Sequence, residues 1–101
     1  MERVIYISVH EAWINFAMIT QSPALFRSAP AWQEINRLRE CGEEIILLNG
    51  SPRFPPQELP SPSPDLVVRV MGAYRHECVQ AQYNALHSKG YAVEIHEPAC
   101  I

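Results

Sequence analysis

Residues 65–100 read DLVVRVMGAYRHECVQAQYNALHSKGYAVEIHEPAC, and the way this stretch divides decides the fold. Leu66, Val67, Val68, Val70 and Met71 form an apolar run broken only by Arg69, and such a β-branched run suits a strand covered on both faces. Gly72 supplies a tight turn. The spacing then predicts a helix over 76–89, with Val79, Tyr83 and Leu86 on one stripe, Ala81 and Ala85 beside them, and Gly90 as the stop. Residues 91–96 alternate as a further strand. The unit is βαβ, and Cys78 falls in the first turn of its helix.

That placement has chemical consequences. The first amides of a helix lack intrahelical partners, and the dipole adds roughly half a positive charge there. A thiol so placed has a lowered pKa, and Arg75 and His76 beside it act in the same direction. The same amides can hold a developing oxyanion if a thiolate attacks a carbonyl. The alternative is that Cys78 is simply a small apolar residue packed against the sheet.

Gly72-Ala73-Tyr74-Arg75-His76-Glu77-Cys78-Val79, followed by Ala85-Leu86 and Gly90-Tyr91-Ala92-Val93, resembles the nucleophile region of the isochorismatase-like cysteine hydrolases. The likeness extends to Glu97-Pro98-Ala99-Cys100. It implies that Cys78 is the counterpart of the family's nucleophile. It also implies an aspartate at the end of the first strand and a catalytic lysine in the middle of the chain. Within Ile7-Ser8-Val9-His10, Ser8 stands where that aspartate is expected, and a serine cannot accept a thiol proton at neutral pH. The only lysine is Lys89, far from the expected place. The resemblance therefore implies a shortened, degenerate member of the family.

At 101 residues, 48% hydrophobic and 19% charged, the chain is expected to form one α/β domain over 1–101 with a single core. A net charge of -3 without a basic stripe gives no reason to expect nucleic acid. No apolar run approaches the roughly 20 residues of a membrane span, so no membrane partner is expected. Met1-Glu2-Arg3 runs directly into a strand without a signal-peptide layout. Three cysteines without paired spacing point to a reducing, cytoplasmic setting.

Residues 3–9 (RVIYISV) read as a central strand, with His10, Glu11, Trp13 and Asn15 just beyond it. Residues 17–30 are interrupted by Ser22-Pro23 and Ala29-Pro30 and read as a loop with about one helical turn. Ser28 suits an N-cap for a helix over 31–41 that carries Trp32, Ile35 and Leu38 on one face. Gly42 ends it, and 44–48 form a strand. Residues 50–64 hold six of the nine prolines and read as an extended crossover; a proline-rich recognition motif is the other reading of that composition.

Four strands, at 3–9, 44–48, 66–71 and 91–96, joined by right-handed crossovers, predict a small three-layer parallel sheet of Rossmann/flavodoxin-like type in the order 2-1-3-4. Ligands in such sheets bind beyond the carboxyl ends of the strands at the switch point. Cys78 is the candidate nucleophile there, with His10 or Glu11 as a substitute proton acceptor. Ser8, Gly72, Tyr74, Arg75 and His76 are the candidate ligand-binding residues. No cofactor is expected, because the glycines are dispersed and form no phosphate loop. No metal is expected either, since His76-x-Cys78 and His96-x-x-x-Cys100 fit no standard zinc spacing.

One helix cannot cover four apolar strands. Either residues 12–29 fold over the gap or a second copy does, and a homodimer or higher oligomer is expected. Three functions follow from different classes: a non-catalytic small-ligand binder or oligomeric pseudoenzyme, a minimal cysteine hydrolase acting on a small amide, and a protein–protein interaction module. Loss of the acid and the lysine together favours the binder and the interaction module over the hydrolase, because such groups act as a unit.

Overall fold

β1 (Arg3–Val9), β2 (Glu44–Leu48), β3 (Leu66–Gly72) and β4 (Ala92–Cys100) form one parallel sheet in the order β2-β1-β3-β4. The computed structural model describes residues 2–20, 28–48 and 58–101. The proline-rich stretch at 50–57 and residues 21–27, with Leu25 and Phe26, lie outside the described residues.

The central strands are apolar on both faces for the reason legible in their composition. Ile5, Ile7 and Val9 point one way, Val68 and Val70 sit in register with Ile5 and Ile7, and all five are buried. Each such side chain contributes roughly 1.5–3 kcal/mol relative to leaving it in water. On the opposite face Tyr6, Arg69 and Glu94 lie in one row across three strands. Arg69 donates to the Tyr6 hydroxyl at 3.1 Å and to Glu94 at 3.1 Å, and its guanidinium lies over the Tyr6 ring.

Between β1 and β2 the chain forms two helices, α1 (Glu11–Thr20) and α2 (Ser28–Glu40). α1 extends the sequence reading, which assigns no element to 11–16 and reads 17–30 as a loop with about one helical turn. The two prolines that argued against a helix lie beyond α1 and in the first turn of α2, where a missing N–H costs nothing. Ser28 is the first helical residue rather than a cap before it. α1 packs on α2, and its fully buried Ile14 fills part of the expected gap. Ala31, Ile35 and Leu38 are the buried face of α2.

The third helix, α3 (Cys78–Ser88), begins two residues later than its apolar stripe suggests and buries Val79, Gln82 and Leu86. Right-handed connections place α1 and α2 on one face of the sheet and α3 on the other. Tyr91 ties the crossover down by donating its hydroxyl to the Pro60 carbonyl at 2.6 Å, and Leu59 is buried nearby in sequence.

β4 runs well past its expected end at His96. Val70 pairs with Ile95, but Gly72, two residues on, pairs with Cys100, five residues on, so β4 bulges between them. Pro98, which has no N–H to give a ladder, lies in the bulge. Ala99 and Cys100 then return to the core, both buried. Ile101 N–H donates to Gly72 O at 3.1 Å and Arg75 N–H donates to Ile101 O at 2.7 Å, which closes the end of the strand onto the β3–α3 turn.

Candidate functional site

At the carboxyl end of the sheet, β1 and β3 stay paired to their last residues. Ala73 N–H donates to Val9 O at 2.9 Å, and a Cβ added to Gly72 would lie 2.0 Å from that same oxygen. Gly72 also has φ +117, so no other residue fits this approach. The Ala73–Tyr74 peptide that follows is cis. Trp13 of α1 reaches across and donates its Nε1–H to the Tyr74 hydroxyl at 2.5 Å, with the two rings edge to face.

The cleft opens one strand further over, between the β3–α3 turn and the end of β4. It measures about 480 Å³, with residues 74–77 on one side and Glu97, Cys100 and Ile101 on the other. The bulge in β4 is what makes this room, because it holds Glu97 away from β3 while Cys100 returns to Gly72. Arg75 forms a wall: its Nε donates to Glu97 at 2.7 Å and its Nη1 to Gln80 at 2.9 Å. Beyond that ion pair a shallower groove of about 500 Å³ continues along α3 and β4 past Tyr83 and Val93. The Cys100 thiol, buried at the cleft floor, donates to the His96 carbonyl at 3.4 Å.

Of the residues singled out from the sequence, Tyr74, Arg75 and His76 line this cleft. Gly72 is not among the lining residues; it accepts the Ile101 N–H bond that closes the end of β4. Cys78 is the first residue of α3, half-buried, packed against the core and outside the cleft lining. Glu77 before it makes no side-chain cap. Val79 N–H is taken by Tyr74 O at 3.1 Å, whereas the amides of Cys78 and Gln80 have no hydrogen-bond partner among the described residues.

The three residues from the β1 end lie elsewhere. Ser8 is fully buried, and its Oγ has no partner among the described residues. Glu11, also buried, accepts a bond from Arg39 Nη2 at 2.6 Å, which commits its carboxylate to α2. His10 takes a left-handed backbone with φ 52; its N–H donates to Leu48 O, and its ring makes no hydrogen bond among the described residues. No carboxylate or imidazole is hydrogen-bonded to the Cys78 thiol among the described residues.

The sequence reading passed over Glu77, Glu97, Cys100 and Ile101 as cleft residues. The available signal was the apolar Ala99-Cys100-Ile101 resuming after Pro98, which is the pattern of a strand that bulges and continues. Behind the bulge, His96 Nε2 lies 2.6 Å from Glu34 Oε2 on α2 and its ring stands edge-on to Tyr6. Glu34 also accepts two bonds from Arg37, and these, ahead of the contact with His96, hold its carboxyl down at about 2 against the opposing effect of burial. Tyr6, followed by Glu94, raises the pKa of the Arg69 guanidinium.

Among the described residues, no helix is long and apolar enough to cross a membrane, and no group of three or more metal-ligating side chains gathers. No family model, curated protein or solved structure matches the chain.

Proposed function

We propose that this chain is a shortened, degenerate isochorismatase-like protein, acting as a non-catalytic, self-associating binder of a small polar molecule. The observation that carries this reading is the cleft of about 480 Å³ beside the β3–α3 turn, together with the commitments of the neighbouring acids. The cleft offers charged walls above the buried Cys100 thiol. Nothing among the described residues is placed to turn Cys78 into a nucleophile: Glu11 is bound to Arg39, Ser8 stands where an aspartate is needed, and the His10 ring is not hydrogen-bonded to the thiol. A cysteine at a helix start without a base retains little of the rate of an assembled set.

Native mass spectrometry of gently purified protein tests the binding reading. The expected result is a bound small molecule that His76→Trp, a substitution at an exposed position on the cleft rim, displaces. A protein that carries nothing, and that no member of a metabolite panel stabilises against heat, contradicts the reading.

A minimal cysteine hydrolase is the second reading, favoured by one observation. Among the described residues nothing claims the amides of Cys78 and Gln80 at the start of α3, where an oxyanion would be received. Turnover of a small-amide panel that is abolished by Cys78→Ala would establish it. Equal background rates in wild type and variant exclude it.

A further inference from the structure

We infer that the outer edge of β2 is a self-association surface, on which a second copy of this chain adds its own β2 antiparallel about a two-fold axis through Ile46. This rests on the self-association proposed above and specifies its geometry.

The two edges of the sheet are built differently. β4 carries Glu94, Glu97 and Pro98 and bulges, all features that discourage strand addition. β2 is Glu44-Ile45-Ile46-Leu47-Leu48, with no proline, no bulge and no charge after its first residue. Leu47 is 52% exposed and shares a face with Tyr6 and Ser8, while Ile45 on that same face is half-buried. Among the described residues, nothing covers the Leu47 side chain.

The backbone pattern selects the partner. Leu48 O accepts from His10 N–H, so Leu48, Ile46 and Glu44 direct their backbone groups toward β1. Ile45 and Leu47 then direct theirs outward, where no described residue meets them. In an antiparallel pair, opposed residues alternate between exchanging both hydrogen bonds and exchanging none. A two-fold axis through Ile46 sets Ile45 against the partner's Leu47, and Leu47 against the partner's Ile45. All four outward N–H and C=O pairs are satisfied at once.

The same register stacks the four side chains of Ile45 and Leu47 on one face, apolar against apolar. It also separates the acidic ends. Glu44 of one copy and the partner's Glu44 lie four residues out of step, about 14 Å apart, beyond a Debye length of about 8 Å at physiological salt. A parallel addition would align Glu43 and Glu44 with their copies instead. Hydrogen-bond direction, side-chain face and charge agree on one arrangement, and a self-complementary edge is what an isologous dimer requires.

The experiment is sedimentation velocity at micromolar concentrations on wild type, Leu47→Lys and Leu47→Pro, joined to a cross-link. Leu47 is exposed, so the lysine variant keeps the fold, and circular dichroism checks it; the proline removes one outward N–H. The expected result is a dimer whose dissociation constant rises at least about tenfold in both variants. In a Cys41→Ser background, Ile46→Cys forms a disulfide-linked dimer on mild oxidation, because opposed residues of a non-hydrogen-bonded pair lie about 4.5 Å apart at Cα. A dimer that ignores both Leu47 substitutions, or that fails to cross-link through Ile46→Cys, overturns the β2 edge while leaving self-association standing. A monomeric wild type overturns both.

Discussion

Glu34 should make this protein sensitive to acid in a way that one substitution removes. Its carboxylate, 15% exposed on the side chain, receives Arg37 Nε on Oε1 at 2.6 Å and Nη2 on Oε2 at 2.8 Å, and His96 Nε2 lies 2.6 Å from that same Oε2. These contacts lower its pKa from an ordinary 4.5 to about 2. A carboxyl with a lower pKa folded than unfolded contributes stability that is fully present above the unfolded value. That contribution is lost as pH falls from about 4.5 through about 2. At about 1.36 kcal/mol per pH unit, the depression at face value corresponds to about 3 kcal/mol. Arg37 is 59% exposed and water screens it, which leaves on the order of 1–2 kcal/mol. Urea unfolding of wild type and Glu34→Gln, repeated between neutral pH and pH about 3, measures the difference directly. The glutamine keeps an acceptor for Arg37 but cannot titrate, so the two stability curves should converge as the solution is acidified. Curves that stay parallel would show that Glu34 is not the group that fastens the β4 bulge to α2, and the linkage argument would fail.

Gly72→Ala should cost at least about 3 kcal/mol, since its Cβ would meet the Val9 carbonyl at 2.0 Å in a backbone region closed to alanine; chemical denaturation checks this. Gln82 is fully buried with both side-chain polar atoms unpartnered among the described residues, so Gln82→Met should raise stability by about 1–3 kcal/mol. Ser8→Ala should raise it by on the order of 1 kcal/mol for the same reason, and a loss of stability in both variants would argue that unseen partners satisfy these groups. Alkylation followed by mass spectrometry should modify exposed Cys41 first, half-buried Cys78 later and Cys100 last, and labelling of Cys100 ahead of Cys41 would contradict its burial.

The bulk of the sheet was legible because its signals are local. β1 and β3 are apolar on nearly every residue, which only a two-faced central strand explains, and right-handed crossovers then leave little choice of order. β2 and β1 begin and end where their patterns do. The second half of α1 is obscured in the sequence because Pro23 and Pro30 suggest interruption, although Pro23 follows the helix and Pro30 falls in the first turn of α2, where a helix accepts it. Glu11 illustrates the harder case: at the end of β1 it reads as a site acid, yet Arg39, 28 positions later, claims it.

What the chain's own order of residues determined is therefore the architecture: four parallel strands, a glycine that lets β3 turn against β1, and a thiol at the start of the last helix. Side-chain period and backbone freedom act over a few residues, and they are written in composition. The location of the cleft was decided only by long-range packing. The bulge that opens it answers to His96 meeting Glu34 and to Cys100 returning to Gly72, contacts between segments that no local pattern relates. Free energy of that kind depends on which surfaces meet after folding, and it opens the cleft at the β3–β4 seam rather than at the β1–β3 notch.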